Sequence, residues 1–214
     1  MSPGRTVPRV AVLVSGSGSN LQALIDDGIQ IDIVVSNVAG VRALERAERA
    51  GIATAVLEQS AYPDRVARDL ALADLLDSRG IGLVVLAGYM HLLTDPFVQR
   101  FSGRIVNVHP SLLPAFPGAH APADALAYGV RWTGATVHLI TEELAAADTG
   151  PVVLQEPVAV RENDTVESLH QRIQIAEHTL LPRAVRLFLE GRVAVVPGTR
   201  RVSVDVLEDL SGGE

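Results

Sequence analysis

Asn107 and His109 stand two residues apart at the end of the apolar run "RIVNVHP" (104–110). In a strand, side chains alternate, so the two face the same way. An asparagine amide can donate to an oxyanion that develops during acyl transfer. An imidazole can move a proton near neutral pH. Pro110, Pro114 and Pro117 follow and stiffen the loop, which suits a preorganised acyl-transfer site. A lone histidine in an apolar strand is more often packed than catalytic. Here the Asn-x-His pair, the strand end and the rigid loop agree on the catalytic reading.

Three further features could join that pair. Asp148 lies in "AAADTGPVVLQ", an ordinary turn sequence; folded beside His109, it would orient the imidazole or a bridging water. Glu177 falls on an apolar helical stripe: at roughly 100° per residue, Val166, Leu169, Leu180 and Ala184 lie within about 40° of Ile173, and so does Glu177. A carboxylate there is costly unless paired, so a ligand ammonium or hydroxyl competes with a salt bridge as its partner. The turn "SGSGSN" (15–20) joins a strand to a helix. Its glycines allow a tight turn and close backbone approach, and Ser19 or Asn20 is the expected cap of a helix whose free N–H groups suit a phosphate; a plain capped strand-to-helix turn accounts for the stretch equally well. The turn carries neither the lysine of a phosphate loop nor a full dinucleotide fingerprint, because Leu21 stands at the third glycine position. His91, His120, His138, His170 and His178 show no metal-ligand spacing, so no metal is expected. His120 shares the proline-rich loop and is a candidate for closing the site, whereas His138 reads as a strand residue within the fold.

The elements that must position these groups alternate. Strands are expected at 9–15, 31–36, 53–58, 82–89 and 104–110, with helices at 20–28, 43–51 and 64–80 between them. Continuous apolar strands separated by helices predict a Rossmann-like α/β fold, a mostly parallel twisted sheet with helices on both faces. The second half differs. After a short helix (123–129), strands at 134–141 and 151–160 are joined too closely for a parallel crossover and should pair antiparallel. A long helix (164–191) follows, which Pro182 should kink or split, and then a hairpin around Pro197-Gly198. The last residues, "DLSGGE", should fray. One domain is expected over 1–214, in two halves (about 1–105 and about 106–195) and a terminal hairpin or tail (about 196–214).

Composition narrows the classes. Of 214 residues, 48% are hydrophobic and 20% charged, which suits a packed core and not wholesale disorder. The net charge of −7 argues against a general nucleic-acid or anionic-membrane binder. There is no cysteine, which removes disulfides, thiolate metal sites and a cysteine nucleophile. The start lacks the apolar core of a signal peptide and no run approaches a spanning helix, so a cytoplasmic chain is expected.

The stretches "VLVSGSGSNLQAL", "VVLAGYMHLL", "IVNVHPSLLPAFPG", "GATVHLI", "DTGPVVLQ" and "AEHTLLP" resemble, in order and over nearly the whole chain, the phosphoribosylglycinamide formyltransferases of folate-dependent purine synthesis. The resemblance implies a formyltransferase fold, 10-formyltetrahydrofolate as co-substrate, a nucleotide-binding half (about 1–105) and a catalytic and folate-binding half (about 106–195). It assigns Asn107, His109 and Asp148 to catalysis. Gly18, Ser19 and Asn20 would hold the substrate's ribose phosphate, and Glu177 would contact the glycinamide ribonucleotide. Arg65, Met90, His91, Leu92 and Leu93 would line the folate site together with Asn107. The family usually has Arg where this chain has His91. The loop "TEELAAADTGP" is longer than the common form, so its Gly-Pro context assigns the acid to Asp148 rather than to Glu142 or Glu143.

The expected reaction is direct attack of a neutral amine on the formyl carbon, because a simple α-amino group has a pKa of roughly 8. Three alternatives stay open at this point: hydrolysis of the formyl-folate by the same site, a nucleotide-binding module without catalysis, and a nicotinamide-dependent dehydrogenase. The last is disfavoured by the incomplete glycine fingerprint and by the absence of an acid ending the second strand. Oligomeric state is also open, a homodimer being one expectation.

Overall fold

The structure, a computed structural model, describes residues 7–141, 148–196, 199 and 201–204. Five strands, β1 (Arg9–Val14), β2 (Ile31–Ser36), β3 (Ala53–Val56), β4 (Ile81–Leu86) and β5 (Ile105–His109), alternate with α1 (Ser19–Asp26), α2 (Arg42–Arg49), α3 (Arg65–Ser78) and α4 (Asp95–Arg100). Then come α5 (Ala121–Tyr128), β6 (Trp132–Ile140), β7 (Val152–Ala159), α6 (Val166–Leu189), β8 (Val193–Val195) and β9 (Val202–Val204).

Seven strands form one sheet in the order β3-β2-β1-β4-β5-β6-β7. The first five pair in parallel, while β6 runs antiparallel to both β5 and β7. The expected mostly parallel sheet is therefore present, with one reversed strand in the C-terminal half. Strand order turns around between β1 and β4, and ligand crevices in open α/β sheets lie outside the carboxyl ends at such points.

Alternation along the strands splits the core. Val10, Val12 and Val14 of β1 face a cluster that includes Leu21 and Leu24 of α1, Ala43 and Ala47 of α2, and Leu169, Ile173 and Leu180 of α6. Ala11 and Leu13 face the opposite cluster, with Leu72 and Leu76 of α3 and Phe97 and Phe101 of α4. Both faces of the sheet are covered, which explains why its strands read as continuous apolar runs.

Two expectations are corrected. Pro182 does not split the long helix: α6 runs unbroken from Val166 to Leu189, with Leu180, Leu181, Ala184 and Val185 buried on either side of the proline. Tertiary packing outweighs the loss of one helical donor. Neither Ser19 nor Asn20 caps α1. The N-cap is Gly18, in the left-handed region at φ 71°, with no side-chain cap bond. A Cβ there would lie 2.7 Å from the Ala43 Cβ, so only glycine lets this turn sit against α2. The terminal hairpin forms as expected between β8 and β9, although Pro197, Gly198 and the "DLSGGE" tail lie outside the described residues.

Candidate active site

The carboxyl end of β5 delivers Asn107 and His109 to one side, as their spacing requires, and the turn before β7 brings Asp148 to meet them. The His109 Nδ1 lies 3.3 Å from Asp148 Oδ2, and the Asn107 amide nitrogen lies 3.5 Å from Asp148 Oδ1. Asp148 adopts φ 60°, a left-handed conformation that aspartate tolerates better than most residues. Two residues on, a Cβ at Gly150 would overlap the Leu139 carbonyl oxygen at 1.6 Å. The Asp-x-Gly-Pro sequence is thus more than a turn signal: glycine lets this segment lie directly on β6.

His138, read from sequence as a fold residue, belongs to the same cluster. It pairs with Asn107 across the β5–β6 ladder. Its Nε2 lies 3.1 Å from the Asn107 amide nitrogen and 3.6 Å from Asp148 Oδ1, and its Nδ1 lies 3.1 Å from the Leu139 carbonyl oxygen. A ring nitrogen facing a carbonyl must carry the proton, so Nε2 is the acceptor for Asn107. That leaves the second Asn107 amide hydrogen only the 3.5 Å contact to Asp148, too long to hold it. It is the donor free for an oxyanion.

The loop after β5 is pinned by more than its prolines. The Thr136 hydroxyl donates to the Ser111 carbonyl (2.7 Å) and accepts from the Leu113 N–H (3.0 Å). The Gln155 amide donates to the Leu113 carbonyl and to Thr136, each at 2.9 Å. The far end closes on the site. The His109 Nε2 lies 2.8 Å from the Phe116 carbonyl oxygen, and the Gly118 N–H donates to Asp148 Oδ2 at 2.8 Å. His120, proposed from sequence to close the site, stands at the N-cap of α5 and makes no side-chain cap bond.

The electrostatics follow from burial and partners. Burial pulls the His109 pKa below the usual histidine range, against the opposing effects of the Phe116 carbonyl and the Asp148 charge. The resting imidazole is therefore neutral at pH 7. Burial alone would raise Asp148, but His138, the Gly118 N–H and His109 outweigh it and hold the carboxyl below its usual range. Asp148 is thus a carboxylate placed to stabilise an imidazolium.

A second group gathers at the other side of β4. Glu177 of α6 is 5% exposed, and its Oε2 accepts from the Asn20 amide at 2.9 Å. Burial pushes the Glu177 carboxyl up to about 7, with Asn20 opposing. Asn20 therefore serves as partner to the acid rather than as a cap, and its own Oδ1 is buried without a donor. An Asn20 acceptor without a donor and a buried carboxyl with one amide partner, beside the uncapped α1 N-terminus at Gly18 and Ser19, suit a ligand that brings hydroxyls or an ammonium together with an anion. From α2, Arg46 donates to the Ser17 carbonyl and to Gln22, each at 2.9 Å, and holds this turn in place.

The remaining candidates lie together on a lip beside β4. Met90 and Leu92 are exposed, and Arg65 donates to the Leu92 carbonyl at 2.7 Å. His91 contacts Arg68, a buried residue that the sequence reading passed over. Among the described residues, no group of three or more His, Cys, Asp or Glu side chains is placed to hold a metal ion, and no helix is long and apolar enough to cross a membrane.

Comparison with known proteins agrees with this architecture. A family model described as formyl transferase matches residues 8–185. The human trifunctional purine biosynthetic protein adenosine-3 is 48% identical over 191 residues, covering 86% of this chain. The chain spans only 19% of the length of that trifunctional relative. The phosphoribosylglycinamide formyltransferase of Mycobacterium tuberculosis is 44% identical over 202 residues, covering 92% of each chain. The crystal structure of glycinamide ribonucleotide transformylase 1 from Symbiobacterium toebii superposes with a TM-score of 0.89 at 45% identity, covering 95% of this chain and 97% of that one. With its reversed sixth strand and its matched span, the chain belongs to the formyl transferase family.

Proposed function

We propose that this chain transfers the formyl group of 10-formyltetrahydrofolate to the amino group of 5-phosphoribosylglycinamide, a step of purine biosynthesis. The observation that carries the reading is the meeting of Asn107, His109 and Asp148 at the end of β5. Its support from elsewhere is the family match and the relatives that share nearly their full length with this chain.

The neutral amine attacks the formyl carbon, and the carbonyl electron pair moves to oxygen. The free Asn107 amide hydrogen donates to that developing oxyanion. His109, neutral at rest with its proton on the Nε2 that faces the Phe116 carbonyl, takes at Nδ1 the proton that the attacking nitrogen must lose. Asp148 stabilises the resulting imidazolium, and the proton then passes, through a water, to the leaving folate nitrogen as the carbon–nitrogen bond breaks. The products are the formylated amine and tetrahydrofolate. Asn20, Glu177 and the Gly18–Ser19 amides hold the nucleotide. Arg65 and the Met90–Leu93 lip hold the folate, and His120 borders the closed loop. The nucleotide and the folate therefore meet between the two proposed halves of the domain (about 1–105 and 106–195). The substrates are two small molecules, with nucleic acid and membrane outside the reading, and the proposed location is the cytoplasm. Assembly as a homodimer is checked by sedimentation equilibrium.

A spectrophotometric assay with a formyl-folate donor, run with and without glycinamide ribonucleotide, tests the proposal. Folate product that requires the nucleotide supports transfer. Equal product without it would mean hydrolysis, and binding of both ligands without product would mean a non-catalytic relative.

A further inference from the structure

Arg68 and Asp69 are adjacent on α3, and both side chains are almost fully buried, at 1% and 0% exposure. A buried ion pair is a poor source of stability, since apolar residues of similar volume usually serve as well. Its retention calls for another role, and its remaining contacts supply one. Arg68 directs Nε (3.0 Å) and one terminal nitrogen (2.6 Å) to Asp69 Oδ1, and its other terminal nitrogen to His91 Nδ1 at 2.8 Å. Asp69 uses its second oxygen to accept from the Thr94 N–H at 2.7 Å. One helical turn earlier, Arg65 donates to the Leu92 carbonyl. From β1's end, the Ser15 hydroxyl accepts from the Met90 N–H at 2.8 Å. The segment is thus held at 90, 91, 92 and 94, three of the four times from α3, while Met90 (70%) and Leu92 (60%) stay exposed.

We propose that Arg68 is a positioning residue for the formyl-folate lip: it holds His91 as a neutral hydrogen-bond acceptor and, with Asp69, fixes the Met90–Thr94 segment in the shape that receives the folate. This rests on the folate reading of that lip given above. An arginine donates only, so a ring nitrogen that faces Arg68 must present its lone pair. The His91 proton is then on Nε2, and protonating Nδ1 would break the contact and set a third cation beside two guanidiniums. The charged and titratable groups around His91 are Arg65, Arg68 and Asp69 from α3, and Tyr89, whose ring lies 6.2 Å away. Burial pushes the Tyr89 hydroxyl up to about 12, so it stays protonated throughout. Burial, Arg68 and Arg65 all lower His91, with only Asp69 opposing, so the neutral form prevails at pH 7. Folate affinity is then present above the His91 titration and lost as pH falls through it.

The test is calorimetric titration with unreactive 5-formyltetrahydrofolate, beside steady-state KM values for formyl-folate and glycinamide ribonucleotide. Arg68→Met leaves a buried carboxylate unpaired and is at risk of misfolding, so the partly exposed His91 carries the comparison. Replacing His91 with Leu removes the acceptor and should weaken folate binding about tenfold, raising the folate KM in step while the nucleotide KM and the melting temperature hold. His91→Gln keeps an acceptor and should recover most of that loss. His91→Arg places a guanidinium against Arg68 and should be the weakest of the three. Wild-type affinity should fall as pH drops through the lowered His91 titration, and the Gln variant should lose that part of the fall. Equal folate affinity in the Leu, Gln and Arg variants, or an unchanged pH profile in the Gln variant, would overturn the proposal. If the wild type binds the folate but does not formylate the nucleotide, the transfer reading fails and the positioning role is still decided by the binding series.

Discussion

Glu177 is a buried carboxyl group and Asp148 a half-buried one, both near the carboxyl ends of the strands, and their pKa values move in opposite directions. Glu177 has one polar partner, the Asn20 amide, and is pushed up to about 7 by burial. Asp148 faces the Gly118 N–H, His109 and His138, and stays below its usual range despite burial. Burial raises both, so the downward movement of Asp148 is the work of its partners. A carboxyl that accepts from a backbone N–H and is flanked by two imidazoles remains a charge that can stabilise a transient cation. One with a single amide is left with acceptor capacity that a ligand's donors can fill.

The largest expected effect is on the side with many partners. His109→Ala should lower single-turnover formyl transfer by about a thousandfold or more, while calorimetry finds nucleotide affinity little changed. A near-normal rate would remove His109 from the chemistry.

Next is the cost of Glu177. Its pKa is raised from 4.5 to about 7 on folding, so the folded state holds a proton that the unfolded state releases. That contribution is whole below pH 4.5 and declines as pH rises to about 7, by about 3 kcal/mol in total. Glu177→Gln should therefore match the wild type at pH 4.5 and be more stable by about that amount at pH 8, yet bind the nucleotide worse. Denaturant unfolding at the two pH values checks the first part. Equal stabilities at pH 8 would mean that Glu177 is ionised without strain.

Asp148→Asn inverts the case. A lowered carboxyl contributes stability above its usual titration, lost only as acid reaches the folded value, so the variant should be less stable at pH 7. Turnover should fall on the order of 100-fold. The His109 titration should move further down, because the Asp148 charge is one of the causes holding it up. NMR titration of the imidazole protons reads that shift directly, and an upward movement would contradict the electrostatic role.

The smallest effect belongs to Asn20. Its replacement by Ala should weaken nucleotide binding about tenfold, a loss of about 1.4 kcal/mol, and leave kcat nearly intact. The Glu177 pKa should rise further, since Asn20 is what opposes its burial. A fall in kcat with unchanged affinity would move Asn20 from binding to catalysis.

Much of this comparison was legible in the sequence because local periodicity carries it. Period-two alternation put Asn107 and His109 on one face, and the helical period put Glu177 in an apolar stripe. What escaped depends on relations between elements. His138 joins the site only because β6 pairs antiparallel with β5 in the register that sets it opposite Asn107, and a strand's own sequence does not state its register. Nothing in the sequence sets Arg68 and Asp69 apart from the other charges of the 64–80 helix; their contacts come from the lip that folds over α3. Asn20 is a favoured cap residue, and the helix leaves it uncapped because the amide is engaged by an acid 157 positions away. Pro182 signals a break that the packed face of α6 overrides.

The central claim is that the β5 site delivers a formyl group to an amine and not to water. Formyl-labelled donor, mixed with the enzyme and saturating glycinamide ribonucleotide and separated after one turnover, decides it by where the label goes. The account predicts label in the formylated nucleotide, with almost none as formate at pH 7.5. Label recovered as formate at the same rate with or without the nucleotide would contradict it.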